Sequence, residues 1–328
     1  MLHIVMNYER EKIGWKKIVI ILMIAGIFVS GYCLMRPQMQ TDYADRLSEC
    51  LKEAEFIGKN DNLSPNQERE LEKYKKIIAC KEQDLGVYSK EVIEKNYNAC
   101  ESMQFAKEIC KFLQILLAVV LAVSCIGTEQ AAKEVYQSLL MPWKRNKIYA
   151  AKVLITGIIL CFSAIAIYIV SYFSVRVRYG DLIINYVFVN ANGNCSTLCF
   201  EYYYIIQFLL EIIPAMAMFL LLVMIMMYCG NSMISILLAV GFLGSMWILG
   251  YIGEYMGYFW YNLVPLKSFA LDNYFFRGLI VDEPEYFEKT LGYIVDHRFS
   301  TWIVLIYDMV WLIIMYFVGL DKFTVKDF

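Results

Sequence analysis

The sequence predicts an all-α, polytopic membrane protein. It has six transmembrane helices, both termini in the cytoplasm, and a helical extracytoplasmic insert between the first and second spans. Three observations carry this. Of 328 residues, 59% are hydrophobic and the mean hydropathy is +0.48, too apolar for a soluble chain of this size. Six long apolar runs, at 18–35, 112–128, 153–175, 202–229, 232–253 and 301–320, match the roughly 20 residues that cross a hydrocarbon core. Lys and Arg cluster on alternate sides of those runs, which orients them. Backbone in lipid must satisfy its own hydrogen bonds, so the runs are helices rather than isolated strands.

Residues 1–17 carry Arg10, Lys12, Lys16 and Lys17 ahead of the first span, which places the N-terminus inside. The run 18–35 lacks an A-x-A-like cleavage site and is long enough to span, so it reads as an uncleaved signal anchor. Cys33 is no lipidation site, because Tyr32 stands where a small residue is wanted.

The insert 36–111 is rich in Glu, Lys and Asn. Ser64 as N-cap, Pro65 at the first helical position and Gln67 closing a capping box start a helix there. It runs to about Glu82, and another runs from about Ser89 into the second span. The insert reads as a solvated helical spacer or as a binding domain. Its lysines do not reverse the orientation, since long loops translocate largely regardless of charge. The second run, 112–128, is short and borrows the turn that holds Glu108 and Lys111.

In the loop 128–152, Ala132, Val135, Tyr136, Leu139 and Leu140 recur at helical spacing on one face. Gln130, Lys133, Glu134, Gln137 and Ser138 cover the other, and Glu129 and Lys133 pair in the favourable i, i+4 order. Pro142 stops the helix, and Lys144, Arg145 and Lys147 form a basic elbow into the third span. Arg176 and Arg178, after that span, run against the charge rule.

Cys195 and Cys199 fall outside on this topology. They are close enough to close a small disulfide loop, though a spacing of one helical turn also leaves them free. The spans 202–229 and 301–320 contain the only formal charges, Glu211 and Asp308. A charge within a span disfavours insertion by roughly 2.5–3.5 kcal/mol, so each is expected to face a cavity or a partner. Counted from the outer ends of their spans, both sit roughly 10–14 Å deep. Pro214, one turn after Glu211, is expected to loosen the helix there. The two carboxylates read as an acidic patch on a substrate exit path, or as protonated or hydrogen-bonded groups that serve assembly. The outer segment 254–300 is dense in aromatics, which favour the headgroup level. The tail 321–328 carries Lys322 and Lys326 inside.

Several classes are excluded. A net charge of −2 leaves no basic footprint for nucleic acid. With only His3 and His297 as imidazoles, metal ligation is disfavoured. No H-E-x-x-H or phosphate-cradling G-x-x-x-x-G-K-[ST] occurs, so no intramembrane enzyme and no motor is encoded here.

The segment 128–152 resembles the cytoplasmic loop of type-2 ABC-exporter permeases. Glu129, Leu139-Leu140, Pro142, Arg145 and Ala151-Lys152 fall at that family's steps. The N-terminal NYEREKIGWKK resembles its interfacial helix before the first span, and Asp321-Lys322-Phe323 with Lys326-Asp327 its short tail. Lys133-Glu134 departs from the Gly-Thr of many members, and the outer insert is longer than in many. The resemblance implies a permease subunit whose ATP is bound and hydrolysed by a separate cytoplasmic ABC ATPase. The helix through Glu129, Lys133, Val135, Tyr136, Leu139 and Leu140, with Pro142 and Arg145, would dock on it. A second permease chain would complete the pathway, and the cargo would be amphipathic, such as a peptide, drug or lipid. No cofactor would sit in this chain. The rival reading is a non-transporting sensor or immunity protein that binds peptide through its outer insert.

Overall fold

Apolar runs without internal breakers leave the backbone one way to satisfy its hydrogen bonds in lipid, and this chain takes it. The computed structural model describes residues 14–36, 52, 55–56, 90–127, 144–180, 185–189, 195–255 and 301–325. Its principal elements are α1 (Trp15–Met35), α2 (Lys90–Ala122), a π-turn (Val123–Gly127), α3 (Arg145–Tyr179), β1 (Asn185–Val189), β2 (Cys195–Cys199), α4 (Phe200–Leu210), α5 (Ile212–Cys229), α6 (Ser232–Tyr255) and α7 (Thr301–Val325). Four stretches are long and apolar enough to cross a membrane: Ile18–Met35, Asn98–Ile126, Arg145–Tyr179 and Glu201–Cys229. The protein is therefore an all-α bundle of multi-pass character. Helices α6 and α7 stand where the sequence places the fifth and sixth spans.

The exposed surface of the bundle is apolar. Ile24, Ile27, Phe28, Phe112, Ile158, Phe173, Leu237 and Phe317 all face outward. Such area is unfavourable in water by about 25 cal/mol per Å², and lipid removes that penalty. On α1, Ile18, Val29 and Cys33 are buried, with Leu22 and Ala25 packed beside them. These positions form one stripe at three- and four-residue spacing. It meets α2 and α3, and Ser30 Oγ lies 2.9 Å from Ser174 Oγ of α3.

Helix α3 is the hub, packing on α1, α2, α4, α5 and α7. Its inward stripe includes Thr156, Ser163, Ala164, Ser171 and Ser174, small residues that let neighbouring backbones approach. Their hydroxyls bond back into the helix: Thr156 to the Lys152 carbonyl at 2.9 Å, Ser171 to Ile167 at 2.6 Å and Ser174 to Val170 at 2.7 Å. These three buried hydroxyls are thus satisfied within their own helix.

Contacts fix the helix directions. At one end, here called basal, Arg145 at the start of α3 meets Thr324 at the end of α7, and Tyr228 at the end of α5 meets Lys322. At the distal end, Arg36 after α1 pairs with Glu101 near the start of α2. Arg178 near the end of α3 donates to Cys33 of α1. Helices α1 and α3 therefore run from the basal to the distal end, and α2, the consecutive pair α4–α5 and α7 run the other way. The reversal from α5 to α6 has a local cause. Gly230, at φ 68°, ends α5 in the left-handed region that suits glycine. Asn231 Oδ1 then accepts the amides of Met233 (2.9 Å) and Ile234 (3.3 Å), capping α6.

Helix α2 is continuous from Lys90, in line with the helix expected from about Ser89 into the second span. Its inward face carries Asn98, Ser102 and Lys107 buried against the bundle. Helix α7 continues to Val325 with Phe323 buried. Between α3 and α4 lies an antiparallel hairpin, register Asn185 to Cys199 and Val189 to Cys195. The interfacial segment at 1–13, the Ser64 helix and the outer segment from 256 to 300 lie outside the described residues.

Candidate functional site

Two polar constellations break the apolar interior, one at the basal end and one at mid-height. The basal one flanks the segment 128–152 on both sides. Lys152 lies two turns inside α3 and is 1% exposed. Its Nζ donates to the Cys125 carbonyl at 2.8 Å. Cys125 belongs to the π-turn at the end of α2, so a buried ammonium joins the helix that enters the segment to the helix that leaves it. Seven residues earlier, Arg145 Nη1 donates to the Thr324 carbonyl at 2.9 Å. Between them Tyr149 is buried against α7, its ring 5.3 Å from Tyr316 and 5.5 Å from Phe323. The segment's flanks are thus tied to α2, α3 and α7 at one end of the bundle.

Arg145 is the one predicted docking residue within the described chain. Glu129, Lys133, Val135, Tyr136, Leu139, Leu140 and Pro142 lie outside the described residues.

At mid-height, Gln114 of α2 is wholly buried. Its Nε2 donates to the Leu160 carbonyl (3.0 Å) and to Ser163 Oγ (2.8 Å), and Ser163 Oγ donates to the same carbonyl (2.8 Å). These two acceptors fix which way the amide points, and they leave Gln114 Oε1 without a hydrogen-bond donor among the described residues. Cys110, one turn before Gln114, lies within electrostatic range of Glu211. Glu211 occupies the joint between α4 and α5 and is 4% exposed. Pro214 explains the joint: it has no amide hydrogen for the Leu210 carbonyl, and its ring crowds that carbonyl.

Asp308 of α7 is also buried, at 5%. Glu211 precedes Tyr228 by seventeen residues and Asp308 precedes Lys322 by fourteen, and Tyr228 and Lys322 touch. At 1.5 Å per residue the two carboxylates lie within roughly one helical turn of each other in depth. Counted from the Tyr149 contacts with Tyr316 and Phe323, Asp308 comes roughly level with Leu160 and Ser163, near the middle of α3.

The distal end explains the two arginines that run against the charge rule. Arg178 Nη1 donates to the Cys33 carbonyl at 2.9 Å, and its Nη2 to the Arg36 carbonyl. A cation there meets the carbonyl end of α1, where the helix dipole favours it. Arg176 Nη1 donates to Tyr172 Oη at 3.1 Å, and Tyr172 donates to Glu201 at 3.1 Å. Both arginines serve the joints between helices. Cys195 and Cys199 open and close the single strand β2. Their side chains lie outside those described.

Sequence reasoning missed Gln114, Ser163 and Tyr149. Gln114 had a signal, an amide side chain within an apolar run; Ser163 and Tyr149 had none. No family model matches the chain, and no curated protein matches it.

Proposed function

We propose that this chain is the membrane-spanning permease subunit of an ATP-driven exporter. The basal end faces the cytoplasm, six helices span the bilayer, and the insert after α1 lies outside. A separate cytoplasmic ATPase binds and hydrolyses the nucleotide, and a second permease chain completes the pathway. The cargo is amphipathic, such as a peptide, a drug or a lipid.

The observation that carries this reading is the double anchorage of the segment 128–152. A loop that only covered the membrane surface would need no buried ties. This one leaves from a π-turn held by Lys152 and returns beside Arg145, which grips the end of α7. A push on the segment reaches α2, α3 and α7 together. In this mechanism Val135, Tyr136, Leu139 and Leu140 form the apolar stripe that seats on the ATPase, and Glu129 and Lys133 stiffen the helix from its solvated face. Nucleotide-driven closure of the partner moves the segment, and the anchors carry that motion to the spans. The mid-height carboxylates Glu211 and Asp308 line the cargo's route and favour cationic or protonated groups.

The test is the ATPase activity of the complex in liposomes. Val135→Asp and Leu139→Asp each place a charge in the apolar stripe. They are expected to abolish stimulation of hydrolysis by this subunit, a loss of at least tenfold, with normal membrane insertion. Full stimulation in both variants would show that the segment does not couple.

A further inference from the structure

We propose that Lys152 is a latch that holds the last turn of α2 in a wide π register, and that releasing it rotates the chain entering the segment 128–152. A π-turn is one residue inserted into an α-helix. It is rare, and it persists where surrounding contacts hold it open. Here the turn is Val123–Gly127; α5 packs beside it, and from α3 the Lys152 Nζ donates to the Cys125 carbonyl at 2.8 Å. Lys152 is among the most completely enclosed side chains in the protein. A buried amine must be hydrogen-bonded, and the Cys125 carbonyl supplies an acceptor in the direction of the turn.

The alternative state of the turn is the ordinary α register. Passing from one to the other removes one residue from the turn, which rotates everything beyond it by about 100° and shifts it by about 1.5 Å. Beyond it lies residue 128. The other end of the same segment leads into α3, where Lys152 itself sits. The latch thus lies at the closed end of the loop formed by 128–152, and it links loop position to the register of α2 in either direction. Cys125 reports the change, because its thiol is buried at 2% exposure in the π register, and a turn of that size carries it off the face it now occupies.

The inference deepens the proposed coupling role of this segment, but its readout needs neither an ATPase nor a substrate. The full chain in native membranes is treated with N-ethylmaleimide, and labelling is followed at each cysteine by mass spectrometry. Cys229, exposed at the basal end of α5, serves as the accessible reference, and Cys33 and Cys110, buried elsewhere in the bundle, as the protected ones. Lys152→Met keeps the length of the side chain and removes the donor. It is expected to raise the labelling rate at Cys125 at least tenfold and to speed amide exchange within 123–127, with Cys33 and Cys110 still protected. Two results would overturn the latch: Cys125 as protected in Lys152→Met as in the wild type, or Cys33 and Cys110 opening together with Cys125, which would make Lys152 a residue of general stability.

Discussion

Tyr149 shows how tightly single residues set the basal end. Its hydroxyl is buried and has no hydrogen-bond partner among the described residues, which carries a desolvation penalty of about 1–3 kcal/mol. The ring is held there because Gly319 of α7 has no side chain. A Cβ at Gly319 would collide with the Tyr149 hydroxyl and come within 3.2 Å of its Cζ. Overpacking of this kind destabilises by about 1–3 kcal/mol. Tyr149→Phe is therefore expected to raise the thermal unfolding midpoint in detergent, and Gly319→Ala to lower it. The double variant should recover part of the Gly319→Ala loss, since the two changes share one contact. Strictly additive midpoints would place the strain elsewhere. Arg178 illustrates a second residue-scale point. Its charge belongs to the end of α1, so charge counting along the sequence reads it as a topological anomaly when it is a helix-terminal contact.

Among the elements, the joint at Glu211 has the clearest local cause. Pro214→Ala restores the amide hydrogen that the Leu210 carbonyl lacks, so α4 and α5 should merge into one helix. Amide exchange across 210–215 is then expected to slow at least tenfold; unchanged exchange would mean that packing, not the proline, imposes the break. This joint was legible in the sequence, as were the helix starting near Ser89 and the runs that became α1 and α3 to α7, because apolar length and proline act locally. The hairpin was legible too and was missed: NYVFV at 185–189 is β-branched and aromatic, and Asn- and Gly-rich residues follow it. The π-turn and the burial of Lys152 were not legible. A lysine at a helix start reads as a surface anchor, and only the approach of α2 to α3 shows that its ammonium points inward. Gln114 stood out as an amide in an apolar run, but its partners at Leu160 and Ser163 lie on another helix and were not legible.

For the molecule as a whole, the bundle divides into three levels. The distal end is tied by Arg36, Glu101 and Arg178, the middle carries Gln114, Ser163, Glu211 and Asp308 inside an apolar shell, and the basal end joins α2, α3, α5 and α7 around the flanks of one segment. Ties at both ends suit a bundle that tilts as a unit, and the enclosed polar middle suits a route that opens when it does. In the proposed reading, the energy for that motion comes from another chain. The most direct test of this division of labour is ATP hydrolysis measured on material purified through a tag on this chain, before and after its partners are stripped away. Hydrolysis that is present in the intact complex and absent from the chain alone is the predicted result. Turnover by the isolated chain, or an intact complex with no ATPase activity, would contradict it.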